Sequence, residues 1–373
     1  MCRQWTLLVL GVAMMAGSRP AQATTYQVGS CLPKLPKFST IQGAVSGVPP
    51  FSTILVCPGV YLEQVTITQP LTLRGQGINN MDRPVIGVPP NGIAVNITSG
   101  VTGVSYAAQV LVLTVIPVGN VSIIDMTVDG TRGNRGCAGG AGLVGIFYAS
   151  NTSGEISGVT ARNQQDGGCG FGIWAENATA LNQKINIGND SVHDMDNTGI
   201  VALCNQNLST LAATIETSSV TGNNTTQGIY TQGIIGSIYR NVVTGGSIGI
   251  ADLDFVPQSA GISISDNSVA DIQAGAGIGI VLREGSFANS NKISNVLTAF
   301  YLQGGSGASP GPTLTSNTVK NAALGVEFNC TANTKLTTNT FNDAQAGFDN
   351  VPSGTTLPSS IYNIDTIKTG SCP

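Results

Sequence analysis

The apolar residues of this chain recur in short alternating runs, and segments with the 3.6-residue spacing of a long amphipathic helix are missing. Lys184-Ile185-Asn186-Ile187, Gly261-Ile262-Ser263-Ile264 and Thr313-Leu314-Thr315 each alternate over a few positions and are bounded by Gly, Asn or Ser. Such alternation predicts strands with one buried face. A longer period lies over it. Asn241, Asn267, Asn291, Asn317 and Asn339 follow one another at intervals of 26, 24, 26 and 22 residues. Two positions after each stands an apolar residue (Val243, Val269, Ile293, Val319, Phe341). Eight positions after each stands a small one (Gly249, Gly275, Ala299, Gly325, Gly347). In the second of these frames Gly279 fits as well as Gly275. Upstream, Gly145-Ile146, Gly172-Ile173, Gly199-Ile200 and Gly228-Ile229 repeat the same small-apolar step at 27, 27 and 29 residues.

A repeat of about two dozen residues with about three short strands is too short for a βαβ unit and too regular for a sandwich. A parallel β-helix satisfies the period: each coil pairs with the next at roughly 4.8 Å, and inward residues stack into one continuous core. We therefore expect an all-β solenoid of about ten coils, with a cap at each end because a terminal coil exposes unpaired strand edges. In the frame Ile/Leu-x-x-Asn-x-apolar the asparagine falls between two inward positions. A left-handed turn at the asparagine, with its amide bonding its equivalents one coil above and below, makes these five residues structural. Ser39 to Val48 places Ile41, Ala44, Val45 and Val48 on one helical face and predicts a short N-terminal capping helix, which Gly43 and Gly47 weaken.

Composition narrows the setting. Residues 1–23 have a secretory layout, with Arg3, an apolar run from Leu7 to Ala16 and a small-residue site at Ala21-Gln22-Ala23. The run is far short of the roughly 20 residues that cross a bilayer. The expected product is secreted, periplasmic or at the cell surface, cleaved after Ala23, with residues 24–373 as a single domain. Only 10% of residues are charged and the net charge is −4, so there is no polybasic footprint for nucleic acid or an anionic membrane. Cys2 falls in the leader, which leaves seven of the eight cysteines. Export permits disulfides, and closeness along the repeat suggests Cys31–Cys57, Cys137–Cys169 and Cys330–Cys372, with Cys204 a buried thiol. No CxxC pair is present, which argues against zinc.

The stretch from Thr40 to Gly77 contains Thr40-Ile41-Gln42, Ile54-Leu55-Val56-Cys57-Pro58-Gly59-Val60-Tyr61-Leu62-Glu63 and Leu71-Thr72-Leu73-Arg74-Gly75-Gln76-Gly77. It resembles the opening coils of the right-handed parallel β-helix (pectin lyase-like, PbH1-repeat) superfamily, which includes pectate lyases, pectin methylesterases, polygalacturonases, alginate epimerases and copper-maturation β-helix proteins. Gly59-x-Tyr61-x-Glu63 is similar to the opening block of the methylesterases. The resemblance covers about a tenth of the chain. It implies a right-handed β-helix and a carbohydrate ligand. Reaction-specific signatures depart from it: no Asn-Thr-Asp, Gly-His-Gly or Arg-Ile-Lys set, no Asp-Pro-His, and an Asp254-Phe255-Val256 that breaks from the esterase Asp-Phe-Ile-Phe-Gly at Pro257.

Strand parity defines one outward row on the face that carries Ile173, Ile200, Ile229, Ile250, Phe300 and Val326. It reads Trp174 and Glu176, Val201 and Leu203, Tyr230 and Gln232, Tyr301 and Gln303, Glu327 and Asn329. Aromatics interleaved with amides and carboxylates suit a polysaccharide, so Trp174, Glu176, Tyr230, Gln232, Tyr301, Gln303 and Glu327 are the candidate binding residues. The alternative is that Trp174, Tyr230 and Tyr301 are covered by loops or simply exposed without a ligand. Asp252 and Asp254 form the nearest acidic pair, about 6.7 Å apart on an extended strand. Strict parity turns Asp252 inward. Lyases of the superfamily combine calcium-binding acids with a base, for which Arg283, beside Glu284, is the nearest candidate. Calcium is thus implied only for a lyase, and no other cofactor is expected. His193, the only histidine, lies in a turn without a second ligand, and Met195 stands alone. Three functions are open: polysaccharide binding, polysaccharide lyase or other carbohydrate-active chemistry, and a surface spacer.

Overall fold

A computed structural model describes residues 24–77, 83–113, 119–133, 137, 141–205, 210–223, 226–253, 261–304, 311–329, 331, 334–351 and 367–369. One coil shows the plan. Gln183–Gly188, Ser191–His193 and Thr198–Cys204 form its first, second and third faces. The next coil places Leu211–Glu216, Ser219–Thr221 and Gln227–Gln232 beneath them, parallel and in register. The first faces make a 13-stranded sheet, and the second and third faces run into a 21-stranded one. In later coils the last two strands fuse, as in Lys292–Gln303, Thr318–Asn329 and Thr340–Val351. The chain is a right-handed parallel β-helix.

In-register pairing converts the sequence period into columns. Ile187, Ile215, Ile238, Ile264, Ala288, Leu314 and Leu336 stack inward from the first face. Val192, Val220, Val243, Val269, Ile293, Val319 and Phe341 stack from the second, and Ile173, Ile200, Ile229, Ile250, Ile280, Phe300, Val326 and Phe348 from the third. All are buried in one cluster. The small position is explained by this stacking. A Cβ at Gly199, Gly228 or Gly249 would come within 2.4 Å of Val220, Val243 or Val269 in the next coil. Ile250 pairs with Ile280, so Gly279 occupies the frame, whereas Gly275, with φ +55, lies in a turn.

The asparagines close the corner between the first and second faces. They are buried, and each Nδ2 donates to the Oδ1 of the next at 2.8 to 3.0 Å, from Asn241 to Asn339. Each Nδ2 also donates to a main-chain carbonyl of the coil before, at 2.8 or 2.9 Å: those of Ile215, Ile238, Ile264, Ala288 and Leu314. The left-handed residue is the one before each asparagine rather than the asparagine itself: Arg240, Asp266, Ser290, Ser316 and Thr338 have φ of 55 to 57°. The turn needs one left-handed residue, and moving it one position back frees the asparagine side chain to point inward.

Upstream the ladder continues with other residues. Ser218 N donates to Asn241 Oδ1, Asp190 N to Ser218 Oγ, and Val159 N to Asp190 Oδ1. Asp190 therefore stands in an asparagine's place, and its buried Oδ2 meets no partner. Burial drives its carboxyl well above the usual range, against the bonds from the Val159 and Gly188 amides.

The N-terminal cap is a helix, Ile41–Gly47 (α1), with Thr40 accepting from Gly43 N and Ile41, Ala44 and Val45 buried. Glu63 accepts from the Ile41 and Gln42 amides at 2.8 and 2.9 Å, and Tyr61 donates to the Cys57 carbonyl at 2.9 Å. The Gly59-x-Tyr61-x-Glu63 block is thus fully engaged in joining the cap to the first coils. Disulfides join Cys31 to Cys57 and Cys137 to Cys169, and Cys204 is a buried thiol. Cys330 and Cys372, the leader at residues 1–23 and most of the C-terminal end lie outside the described residues. Among the described residues no helix is long and apolar enough to cross a membrane.

Replacing Asn291 with Ala removes four buried hydrogen bonds in mid-ladder and should cost about 3 kcal/mol in urea denaturation. Asp190→Asn should act oppositely, with a sign set by pH. The folded carboxyl holds a proton that the unfolded chain releases near its ordinary value of about 3.9. The stability Asp190 contributes is complete below that value and is lost as pH rises toward the folded one. The variant's Tm should match wild type near pH 4 and exceed it progressively toward pH 8.

Candidate functional site

The outward row on the third face exists as a continuous column. Leu111, Phe147, Trp174, Val201, Tyr230, Ala251, Val281, Tyr301, Glu327 and Asp349 are successive in-register neighbours. It is divided into zones of unequal access.

Its upstream zone is covered. Ile97–Thr98 pairs antiparallel with the start of Ser105–Val112, and this hairpin lies over an apolar cluster on the outside of the sheet. Tyr106, Phe147, Trp174, Val201 and Leu203 are buried in it, with Phe171, Val101 and Tyr230 packed alongside. The Phe147 and Trp174 rings stack 5.7 Å apart at 11°, and Tyr106 tilts onto Trp174 at 4.8 Å. Glu176 ties the hairpin down: it accepts from Ser99 Oγ at 2.5 Å, Gly100 N at 2.8 Å and Trp174 Nε1 at 3.1 Å. Burial pushes its carboxyl up, with the Ser99, Gly100 and Trp174 bonds offsetting part of that. Trp174 and Glu176 are 3% and 2% exposed, so neither offers a surface to a polymer. Parity gave the side of the sheet; Ser99 and Gly100 of the covering hairpin are 77 and 76 residues from Glu176 in sequence. Tyr230 is half-buried and bonds Gln232, itself buried, at 3.1 Å.

In the middle zone Ala251 and Val281 are buried, and an ion pair is buried beside them. Asp252 pairs with Thr231 on an inward row and is 0% exposed. It accepts from Arg283 Nε at 3.0 Å, Ser286 Oγ at 2.5 Å and Thr231 Oγ1 at 3.2 Å, while Arg283 Nη2 also reaches the Ile234 carbonyl at 3.2 Å. Burial raises the Asp252 carboxyl, and Arg283, Ser286 and Thr231 pull against it. A carboxylate in the core needs a partner, and Arg283 supplies it, which removes Arg283 from the role of an accessible base. Glu284 is also buried. The donor set does not fit calcium, because a guanidinium already neutralises the only described acid of the pair. Asp254 lies outside the described residues. His193 bonds the neighbouring Asp194 at 2.5 Å, with both part-exposed. Among the described residues no three His, Cys, Asp or Glu side chains gather as a metal group.

The downstream zone is half-open. Tyr301, Gln303, Glu327 and Asp349 are each partly exposed, with Gln303 beside Asn329 on the neighbouring column. Glu327 and Asp349 are paired across adjacent coils. Burial, and then the Asp349 charge, raise the Glu327 carboxyl. Asp349 was legible: Gly347-Phe348-Asp349 repeats the frame of Gly325-Val326-Glu327, one coil on.

No protein-family model matches the sequence, and no curated protein matches it. Among solved structures the chain is similar to a GH136 lacto-N-biosidase from Eubacterium ramulus, with TM-score 0.53 and 9% identity over 86% of this chain and 67% of that one. It is also similar to the A-module of a mannuronan C-5 epimerase from Azotobacter vinelandii (TM-score 0.48, 14% identity, 89% and 94% covered). A Paenibacillus alginate lyase gives TM-score 0.42 and 14% identity over 87% and 97%. At such identities the likeness is one of fold.

Trp5 and Trp174 are the only tryptophans, so in a chain without residues 1–23 Trp174 alone reports on the hairpin. Its emission should be blue-shifted and resist acrylamide. Glu176→Ala should shift it red and raise quenching severalfold; an unchanged spectrum would show that Glu176 does not hold the hairpin.

Proposed function

We propose that this is an exported β-helix protein that acts on extracellular polysaccharide along the downstream part of the third face. Tyr301 and Gln303 hold the chain, and Glu327 with Asp349 form the reacting acid pair. One observation carries the reading. Glu327 and Asp349 are stacked on adjoining coils below a part-exposed tyrosine, and Glu327 is held above the ordinary carboxylate range by burial and by Asp349. In-register neighbours lie roughly 4.8 Å apart, close to the ~5 Å carboxyl separation that serves acid and nucleophile at one glycosidic bond. Glu327 is the general acid that gives a proton to the leaving oxygen as the glycosidic C–O bond breaks, Asp349 bonds the anomeric carbon from the other side, and water deprotonated by Glu327 then hydrolyses that glycosyl ester. The lacto-N-biosidase built on the same fold supports carbohydrate as the ligand class, and the disulfides support an oxidising destination.

The second reading is binding without turnover, which needs Tyr301 and Gln303 alone. One assay separates the two: reducing-end release and retention on a panel of neutral and acidic polysaccharides. For the enzyme, Glu327→Gln should cut release by about a hundredfold or more and leave retention intact. Tyr301→Ala should weaken retention about tenfold. The rate should fall as pH rises through the raised Glu327 value, because the acid then loses its proton. Release that survives Glu327→Gln removes the acid assignment; retention without release, lost in Tyr301→Ala, leaves binding; neither leaves a spacer.

A further inference from the structure

The first face carries a feature that the third-face reading does not use. Between Asn120–Ile124, Ser153–Ser157 and Gln183–Gly188 lies an open depression of about 250 Å³. Asn120, Ser122, Glu155, Lys184 and Asn186 surround it, with Ser153 and Gly154 between them. Asn120 is in register with Ser153 and Ser122 with Glu155, and Glu155 with Asn186 in turn. The side chains thus form two outward columns over three coils, roughly 10 Å by 7 Å. Its concavity follows from residue size, with short Ser122, Ser153 and Gly154 amid the longer Asn120, Glu155, Lys184 and Asn186. Gly154 is required on the inner side, where a Cβ would lie 1.8 Å from the Val121 carbonyl and 3.1 Å from the Tyr148 ring.

Elsewhere on this solenoid polar side chains on neighbouring coils bond to one another. Thr210 donates to Asn182 at 2.7 Å, Thr217 to Asn189 at 3.0 Å, Asn295 to Asp271 at 2.8 Å and Asn321 to Asn295 at 2.7 Å. Around the depression the side chains of Asn120, Ser122, Glu155, Lys184 and Asn186 make no such bond among the described residues; only Ser153 Oγ is engaged, accepting from Lys184 N at 3.0 Å. The cluster is local, since one coil on the two columns continue as Ala212 and Thr214. Five unbonded polar groups converging on one hollow offer both donors and acceptors, and the single ammonium and single carboxylate balance. One acid cannot hold a metal ion and one cation cannot hold a nucleic acid backbone. The complement is a neutral ligand dense in hydroxyls.

We propose that this depression is a second glycan site, which takes a short neutral oligosaccharide laid along the solenoid axis. Glu155 accepts from adjacent hydroxyls, and Lys184, Asn120 and Asn186 donate to ring and hydroxyl oxygens. The site is independent of the third-face row, on a different face of the coil. Saturation-transfer NMR and calorimetry with neutral tetrasaccharides of glucose, xylose and mannose test it, with tetragalacturonate as the charged comparator. At least one neutral tetrasaccharide should bind, and tetragalacturonate should bind no better. Glu155→Ala with Asn186→Ala should weaken the neutral ligand about tenfold, and Ser153→Tyr, which fills the hollow, should do the same. Tyr301→Ala and Glu327→Gln should leave it unchanged, so failure of one site is distinguishable from failure of the other. A nitroxide on Ser153→Cys should broaden the ligand's protons. Binding that persists in both groove variants, or no binding of any neutral tetrasaccharide, overturns the proposal.

Discussion

The asparagine side chain carries its acceptor and its two donor hydrogens on separate atoms, so it accepts from one coil while it donates to the next, and this solenoid depends on that property. A parallel sheet fixes the rise between coils near 4.8 Å, but the corner between faces must turn sharply, and its main-chain amides and carbonyls are then left inside. From Asn241 to Asn339 each amide oxygen receives an N–H of the coil before it and each amide nitrogen gives to a buried carbonyl, and the first four also give to the next asparagine. The corner is satisfied internally, at the modest cost of one left-handed residue per coil. Apolar residues at the same corner would bury those groups unpaired, each with a penalty of about 1–3 kcal/mol.

Register is the consequence that reaches function. Once the corner is pinned coil by coil, equivalent residues must stack, and the outward residues of each face become columns. Accessibility along a column is then decided by what folds over it. The hairpin at Ile97–Thr98 converts Trp174 and its neighbours into a second apolar core, and an inward aspartate recruits Arg283. The stretch from Tyr301 to Asp349 stays part-open, and Tyr230 is half-buried at the margin of the covered zone.

These effects differ in how far sequence alone carries. The coil period, the inward columns, the cap and two disulfides were legible, because each rests on local pattern or a single repeat. The left-handed position was misplaced by one residue, since periodicity locates the corner but not which of two adjacent residues takes the strained φ. Gly279 rather than Gly275 holds the frame because a Cβ there would meet Ile293 and the Ala299 carbonyl, a contact between coils that spacing does not reveal. Trp174 and Glu176 were assigned to the correct side of the sheet but not to the correct environment. Their cover comes from Ser99 and Gly100, and nothing in local pattern joins residues so far apart.

A chain this poor in charge makes each charged group informative. With 10% of residues charged, several of those inside or near the coils have a structural role. Glu63 holds the capping helix, Asp196 gathers the amides of Asp166, Gly168 and Gly170, and Asp129 takes Thr131, Asn163 and Arg162. Asp252 and Arg283 neutralise each other, and Glu176 fixes the hairpin. Glu327 and Asp349 do not neutralise each other: two carboxylates stacked on adjacent coils repel, and among the described residues Asp349 Oδ1 accepts only the local bond from Asn350 N at 2.9 Å. An acid pair without a counter-cation among the described residues, on a half-open face, is the physical reason for looking there for chemistry.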